Sequence, residues 1–481
     1  MKQSILLFAL LCATTLTQAQ IGIGTNTPNA SSQLDISSTS RGLLPPRMTA
    51  FQRNNISTPA AGLMVWCNDC GSKGEIQIYD GTAWVNLIGG SRQLTAATTK
   101  IGVDIDGEAA YNQSGNSVAI SSDGTTVAIG AANNYANGND AGHVRVYQNI
   151  AGTWTQIGAD IDGEAANDQS GTSVAISSDG TTVAIGAKLN DGVGTNAGQV
   201  RVYKNITGTW TKIGADIDGE AAYDNFGYSV AISSDGSTVA IGAPYNDGSK
   251  NNAGHVRVYQ NIAGTWTKIG VDIDGILAYG LFGVSVSISS DGTTVAIGGN
   301  NLTRVFKNIA GTWIKVGADM DIEIDDDYSV KSSSVSISSD GTILAIGSAY
   351  NDGGGIDAGQ VRVYNNIAGT WTKIGSGING EAAGDNSGWS VSISSDGTAV
   401  AIGAPNNDGI GSNAGQVRVY HNILGTWTKI VADIDGEAAD DNSGTSVAIA
   451  SDCKTVAIGA IWNVGAGINA GHVRVYKIGG L

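Results

Sequence analysis

Charge is scarce in this chain of 481 residues: Asp, Glu, Lys and Arg make up 14%, against about 25% in an average domain. Proline occurs 6 times, cysteine and methionine 4 times each, phenylalanine 5 times. Helical bundles and coiled coils are excluded, because their exposed faces rely on abundant charged residues. Beyond the first 13 residues no stretch is apolar for long enough to cross a bilayer, which takes about 20 residues of helix. Basic residues number 26 against 43 acidic ones, a net charge of −17. That field repels phosphate, so nucleic acid and anionic membranes are excluded as general partners, and cations or cationic surfaces are the natural ones. What is abundant is glycine, 69 residues, together with 41% apolar side chains, enough for a large core and too many for extended disorder.

The first residues have the layout of an export signal. Met1-Lys2-Gln3-Ser4 is a short positive segment, residues 5–13 are continuously apolar, and Thr17-Gln18-Ala19 sets small residues where a signal peptidase cuts, after Ala19. A secreted protein, extracellular or on the outer cell surface, is therefore expected. Cys12 leaves with the signal, and Cys67-Asn68-Asp69-Cys70 remains as a CxxC in an oxidising compartment. A zinc site would need two further ligands at matching spacing, and a redox centre would place the motif at the start of a helix. Here a strand-like run precedes it and Gly71-Ser72-Lys73-Gly74 follows, so a structural disulfide between Cys67 and Cys70 is expected, with Cys453 left as a free thiol.

A period of 56 residues organises most of the remainder. Ser-Asp-Gly recurs with its Asp at 123, 179, 235, 291, 340 and 396, and a seventh copy reads Ser451-Asp452-Cys453. Within one unit, Ser229-Val230-Ala231-Ile232-Ser233 and Thr238-Val239-Ala240-Ile241-Gly242 alternate around the tight turn at Asp235-Gly236. A loop rich in Gly, Asn and Asp follows, then His255-Val256-Arg257-Val258-Tyr259 and Thr265-Trp266-Thr267-Lys268-Ile269. Four short antiparallel strands per unit make a propeller blade, and seven units predict an all-β, seven-bladed propeller. The last unit stops after residue 477 without its fourth strand, while an orphan strand at residues 98–102 precedes the first unit. That strand is expected to complete blade seven and close the ring. The domain plan is a signal peptide (1–19), a small β-rich module (20–90) and the propeller (91–481). The fourth unit is seven residues short, and the fifth begins with an acidic variant at residues 322–328.

Asn225-Phe226-Gly227 followed by Gly242-Ala243-Pro244 resembles the FG-GAP repeat of integrin α-subunit propellers. The resemblance extends over about residues 98–481 and implies adhesion or ligand binding. It departs from the family pattern where Ser114, Ser170, Ser387 and Ser443 stand in place of Phe, and the family's calcium-binding insertion between the first two strands is reduced to the Ser-Asp-Gly turn. Residues 21–90, with Leu44-Pro45-Pro46-Arg47-Met48-Thr49, resemble a module of bacterial secreted surface proteins and phage tail-fibre segments. Such segments imply self-association, so the module is read either as an oligomerising stalk that builds a homo-oligomer or as a plain β-rich spacer. Thr49-Ala50-Phe51-Gln52 reads as a capping box opening one short helix.

Candidate chemistry lies in acidic runs before the blades. Asp160, Asp162 and Glu164, then Asp216, Asp218 and Glu220, then Asp433, Asp435 and Glu437 alternate carboxylates with a glycine, and the same pattern opens at Asp104. Such runs offer oxygen ligands to Ca²⁺, or cap turns through their own backbone. His143, His255 and His472 share one repeat position with Gln199, Gln360 and Gln416, which reads as a polar strand position. The fourth-strand tryptophans, Trp154, Trp210, Trp266, Trp313, Trp371 and Trp427, read as packing between blades or as a sugar-stacking belt, and Trp389 and Trp462 stand outside that pattern. No hydrolase, metalloprotease, P-loop or dinucleotide fingerprint is present, so no enzymatic activity is expected. The expected function is adhesion or recognition of a protein or glycan ligand through the loop face. A structural, fibre-associated oligomer and a lectin-like propeller are the alternatives.

Overall fold

The computed structural model describes residues 21–23, 34–36, 43–68, 70, 75–79, 81, 84–86, 98–300, 302–321 and 333–479. The signal segment and the acidic variant at 322–328 lie outside the described residues. The chain divides into two compact units, Met1–Arg92 and Gln93–Leu481.

In the first unit, Arg47–Met48 pairs in parallel with Met64–Cys67, which continues antiparallel through Glu75–Tyr79 to Trp84–Asn86. The helix Ala50–Asn54 makes the crossover between the two parallel strands. It opens on a reciprocal capping box: the Thr49 backbone N–H donates to Gln52 Oε1 at 2.9 Å, and the Gln52 N–H donates to Thr49 Oγ1 at 3.2 Å. Cys67 and Cys70 are joined by a disulfide beneath the Arg53 side chain, whose Nη1 lies 3.2 Å from Cys70 Sγ.

The second unit is a seven-bladed β-propeller. Blade 3 represents the set: Ser229–Ile232, Thr238–Ala243, His255–Ile262 and Thr265–Lys268 pair antiparallel in sequence order from the axis outward. Every residue of the second strand is buried, because neighbouring blades cover both of its faces. Asp235 explains the recurrent turn: its Oδ1 accepts from Ser233 Oγ at 2.6 Å and from the Ser237 N–H at 2.9 Å, while Gly236 takes φ +73°. First strands pack on one another around the axis, and Ser443–Ile449 of blade 7 packs on Ser117–Ile120 of blade 1, so the ring is closed. Blade 7 takes its fourth strand, Thr99–Lys100, from the start of the unit, in register Tyr476↔Lys100 and Lys477↔Thr99.

Three repeated contacts lock blade to blade. A first-strand serine donates to a glycine carbonyl of the next blade, as in Ser229 to Gly283 at 2.7 Å and, across the seam, Ser446 to Gly115 at 2.7 Å. Each fourth-strand tryptophan donates its indole N–H to a carbonyl at the end of the preceding blade, from Trp154 to Ile101 at 2.8 Å through Trp427 to Ile374 at 3.0 Å. These tryptophans are therefore packing residues, as their place in the interblade cores also shows. The third contact is the close approach at Gly227, with φ +84°, where a Cβ would meet the Gln199 carbonyl at 2.6 Å. Phe226 beside it is fully buried.

At three of the four positions where serine replaces that phenylalanine, the neighbouring arginine uses it: Arg201 reaches Ser170 Oγ at 3.2 Å, Arg418 reaches Ser387 at 2.9 Å and Arg474 reaches Ser443 at 3.0 Å, whereas Ser114 Oγ has no partner. Facing Phe226, Arg257 bonds Asp272 of its own blade instead, at 2.9 Å. In blades 2, 3, 6 and 7 the Ser/Phe alternation is thus a choice between two arginine partners.

Candidate functional site

One face of the ring carries the starts of the first and third strands and the loops between second and third strands. In blade 3 residues 244–254 form that loop, whereas in blade 4 the second strand ends at Gly298 and the third begins at Leu302, which notches the face there. At the axis on this face lies a cavity of about 630 Å³, lined by the first strands of all seven blades. Its hydroxyls come from the serine rung, Ser117, Ser173, Ser229, Ser285, Ser334, Ser390 and Ser446. Its aromatic wall comes from two edge-to-face pairs, Tyr228 with Tyr245 at 6.4 Å and Tyr350 with Trp389 at 6.3 Å between ring centroids. Lys188 lies 5.3 Å over the Tyr228 ring, and burial pushes its pKa down.

Of the two tryptophans outside the repeat pattern, Trp389 lines the cavity; Trp462 is equally exposed but does not. The tyrosines were not legible as a site beforehand. A signal existed: the residue just before the rung serine is Asn116, Thr172, Tyr228, Val284, Ser333, Trp389 or Thr445, a variable position in an otherwise regular repeat.

The acidic runs are pulled apart. Ile161–Asp162 forms a short fifth strand antiparallel to His143 and Val144, with Ile161 buried. Asp160 turns back to Gln156 and His143 of blade 1, and Glu164 reaches forward to Arg201 of blade 2 at 3.6 Å. In the second run Asp216 pairs with Lys212 at 2.7 Å, Asp218 accepts from Gln199 at 3.2 Å, and Glu220 reaches Arg257. In the third Asp433 pairs with Lys429 at 2.8 Å, Asp435 accepts from Gln416 at 3.2 Å, and Glu437 reaches Arg474 at 3.7 Å. Among the described residues, no run gathers its own three carboxylates around one point. The side chains of a run are therefore not gathered as a calcium cage: each run is a strand edge whose two ends belong to adjacent blades.

The structure instead brings together one residue from each of three places. Glu108, His143 and Asp160 meet, as do Glu220, His255 and Asp272, and Asp104, Glu437 and His472. Each histidine opens a third strand and is almost fully buried. Burial first, then the adjacent Arg145 or Arg257, lowers the pKa of His143 and His255 to about 4; burial and Arg474 lower that of His472 as well. These imidazoles are neutral in the folded state and charge only on unfolding below about pH 6.5. Their contribution to stability is complete above that pH and is lost as the pH falls towards 4. In chelator-treated protein, the stability read by urea unfolding should fall by about 2–3 kcal/mol for each of His143 and His255 between pH 7 and pH 4.5, with a further loss in the same direction from His472. The triple change of His143, His255 and His472 to Gln should remove that part of the pH dependence; an unaltered pH profile would refute it.

Comparison with known proteins agrees with this architecture. Residues 160–203, 212–259 and 379–420 match the family described as FG-GAP repeat, and residues 22–108 match the phage tail like trimerisation region. FG-GAP repeats thus lie in the middle and C-terminal regions of the chain. They stand behind a phage-tail-like trimerisation region. The matched stretches end on the third-strand tyrosines Tyr203, Tyr259 and Tyr420, so the repeat as a sequence unit is offset from the blade. The trimerisation match runs on through Thr99–Lys100 and Ile105–Asp106, which structurally belong to blade 7. Among solved structures, a provisionally assigned 6-phosphogluconolactonase from Bacteroides uniformis is 11% identical, with a TM-score of 0.48 over 77% of this chain and 94% of that one. No curated protein matches the chain.

Proposed function

We propose that this is a non-enzymatic recognition protein, exported to the outer cell surface or beyond, that presents its propeller in a homotrimer and binds its ligand at the axial mouth. The observation that carries this reading is the cavity of about 630 Å³ in which two aromatic pairs stand beside a rung of serine hydroxyls. Aromatic faces beside hydroxyl groups suit a glycan, whose ring presents C–H groups on one face and hydroxyls at its edge. Trimerisation supports a surface role, because three weak mouths acting together bind a multivalent surface firmly.

A glycan array probed with the mature protein tests this. Binding is expected, and Trp389→Ala should weaken it by at least tenfold while leaving the fold intact, since Trp389 is 45% exposed. Binding that is indifferent to Trp389→Ala and to Tyr350→Ala would remove the axial mouth as the site. A silent array with a stable trimer would favour the structural, fibre-associated role.

A further inference from the structure

The seven blades act as controls for one another. The last residue of the fourth strand is a lysine in six of them, Lys100, Lys212, Lys268, Lys315, Lys373 and Lys429, but Gln156 in blade 1. This difference matters at the three clusters of histidine with carboxylates. In blade 3 all four carboxylate oxygens are engaged: Lys268 and Arg257 take Asp272 at 2.7 and 2.9 Å, Arg257 also takes one oxygen of Glu220, and Asn246 donates to the other at 3.0 Å. In blade 7 the Lys100 ammonium bridges Asp104 at 2.8 Å and Glu437 at 3.7 Å. Each of these clusters therefore already contains its cation.

Blade 1 does not. A neutral amide, Gln156 Nε2, donates to Asp160 Oδ1, and Arg145 lies 3.6 Å from Glu108 Oε1. Glu108 Oε2 and Asp160 Oδ2 both face His143 Nδ1, at 3.8 and 3.7 Å, too far for hydrogen bonds. His143 is 1% exposed and its Nδ1 has no partner, a costly condition for a buried polar atom. At the equivalent position in blades 2, 5 and 6, Gln199, Gln360 and Gln416 bond directly to Asp218, Asn379 and Asp435.

We propose that Glu108, His143 and Asp160 form a site for one divalent transition-metal ion of the zinc class. One imidazole nitrogen and two carboxylate oxygens are the donors such an ion takes, and a tetrahedral ion about 2.1 Å from each holds them about 3.4 Å apart, close to the spacing present. Glu108 and Asp160 are 42% and 26% exposed, which leaves an entry path and an open coordination position. The site also straddles the seam. Glu108 follows the closing strands, Thr99–Lys100 and Ile105–Asp106, whereas His143 belongs to blade 1. The metal would therefore pin the closing segment to the first blade.

Zinc chloride titrated calorimetrically into the untagged, chelator-treated mature chain should show one ion per chain and raise the melting temperature. Calcium alone should give no comparable heat, because imidazole is a poor ligand for a hard cation. His143→Gln installs the residue that three other blades tolerate, and Gln156→Lys restores the ammonium found in the rest. Both variants should fold with a metal-free melting temperature within a few degrees of the parent, and both should lose the zinc site. His421→Gln should retain it. Failure of the parent chain to bind zinc, or binding that persists in either of the first two variants, would overturn the assignment.

Discussion

Ile101→Pro is expected to destabilise the propeller far more than Ile269→Pro, although the two positions are locally equivalent. The Ile101 N–H donates to the Val475 carbonyl and the Ile269 N–H to that of Val258, both at 2.7 Å. The carbonyls of Ile101 and Ile269 themselves accept a tryptophan indole N–H, from Trp154 and Trp313 respectively, both at 2.8 Å. Proline at either place removes one donor and costs about 3 kcal/mol. At Ile269 the cost stays local, because Thr265–Lys268 is held beside its neighbour by a short hairpin. At Ile101 the strand reaches blade 7 only through closure of the whole ring, so its loss also releases Ile105 from the seam core it shares with Val118, Trp154 and Val473. The difference should be at least another 3 kcal/mol, from one buried isoleucine and the pairing of Ile105–Asp106 with His472 and Val473. The new open edge should also promote aggregation. Urea midpoints measured side by side decide the matter; equal shifts would mean that the closing strand contributes no more than its local bonds.

The second large effect concerns assembly. Deleting residues 20–92 from the mature chain should convert a trimer into a monomer with the propeller intact, as read by light scattering and circular dichroism. On a surface densely coated with ligand, the apparent affinity should fall by about 10² to 10⁴, while the affinity of a single mouth for soluble ligand stays the same. A deletion variant that remains trimeric would transfer assembly to the propeller. One that loses affinity for soluble ligand as well would place part of the binding site in the N-terminal module.

Much of the architecture was readable from sequence because it depends on local pattern and count. Alternating Val, Ile and Ala around Asp235-Gly236 encode a hairpin whatever surrounds it. The missing last strand and the orphan one at residues 98–102 are complementary, so the closure at Tyr476↔Lys100 follows from arithmetic on the repeats. The capping box at Thr49 and Gln52 is a contact across three residues and needs no tertiary context.

The site was less legible, and for a definite reason. Asp160, Asp162 and Glu164 are neighbours in sequence, which invites a metal loop, but the run crosses from blade 1 to blade 2, so its carboxylates serve different blades. Glu108, His143 and Asp160, spread over 53 positions, come together because sheet pairing places Ile161–Asp162 beside His143 while the preceding junction delivers Glu108. The aromatic wall arises likewise: Tyr350 and Trp389 meet across blades 5 and 6 only once those blades pack on each other. Sequence alone determined the blade, the number of blades and the strand that joins the ends, since these rest on periodicity and local turns. The tertiary structure decided which side chains share a space, because ring closure sets the distances between blades and burial sets the charge state of the histidines among them.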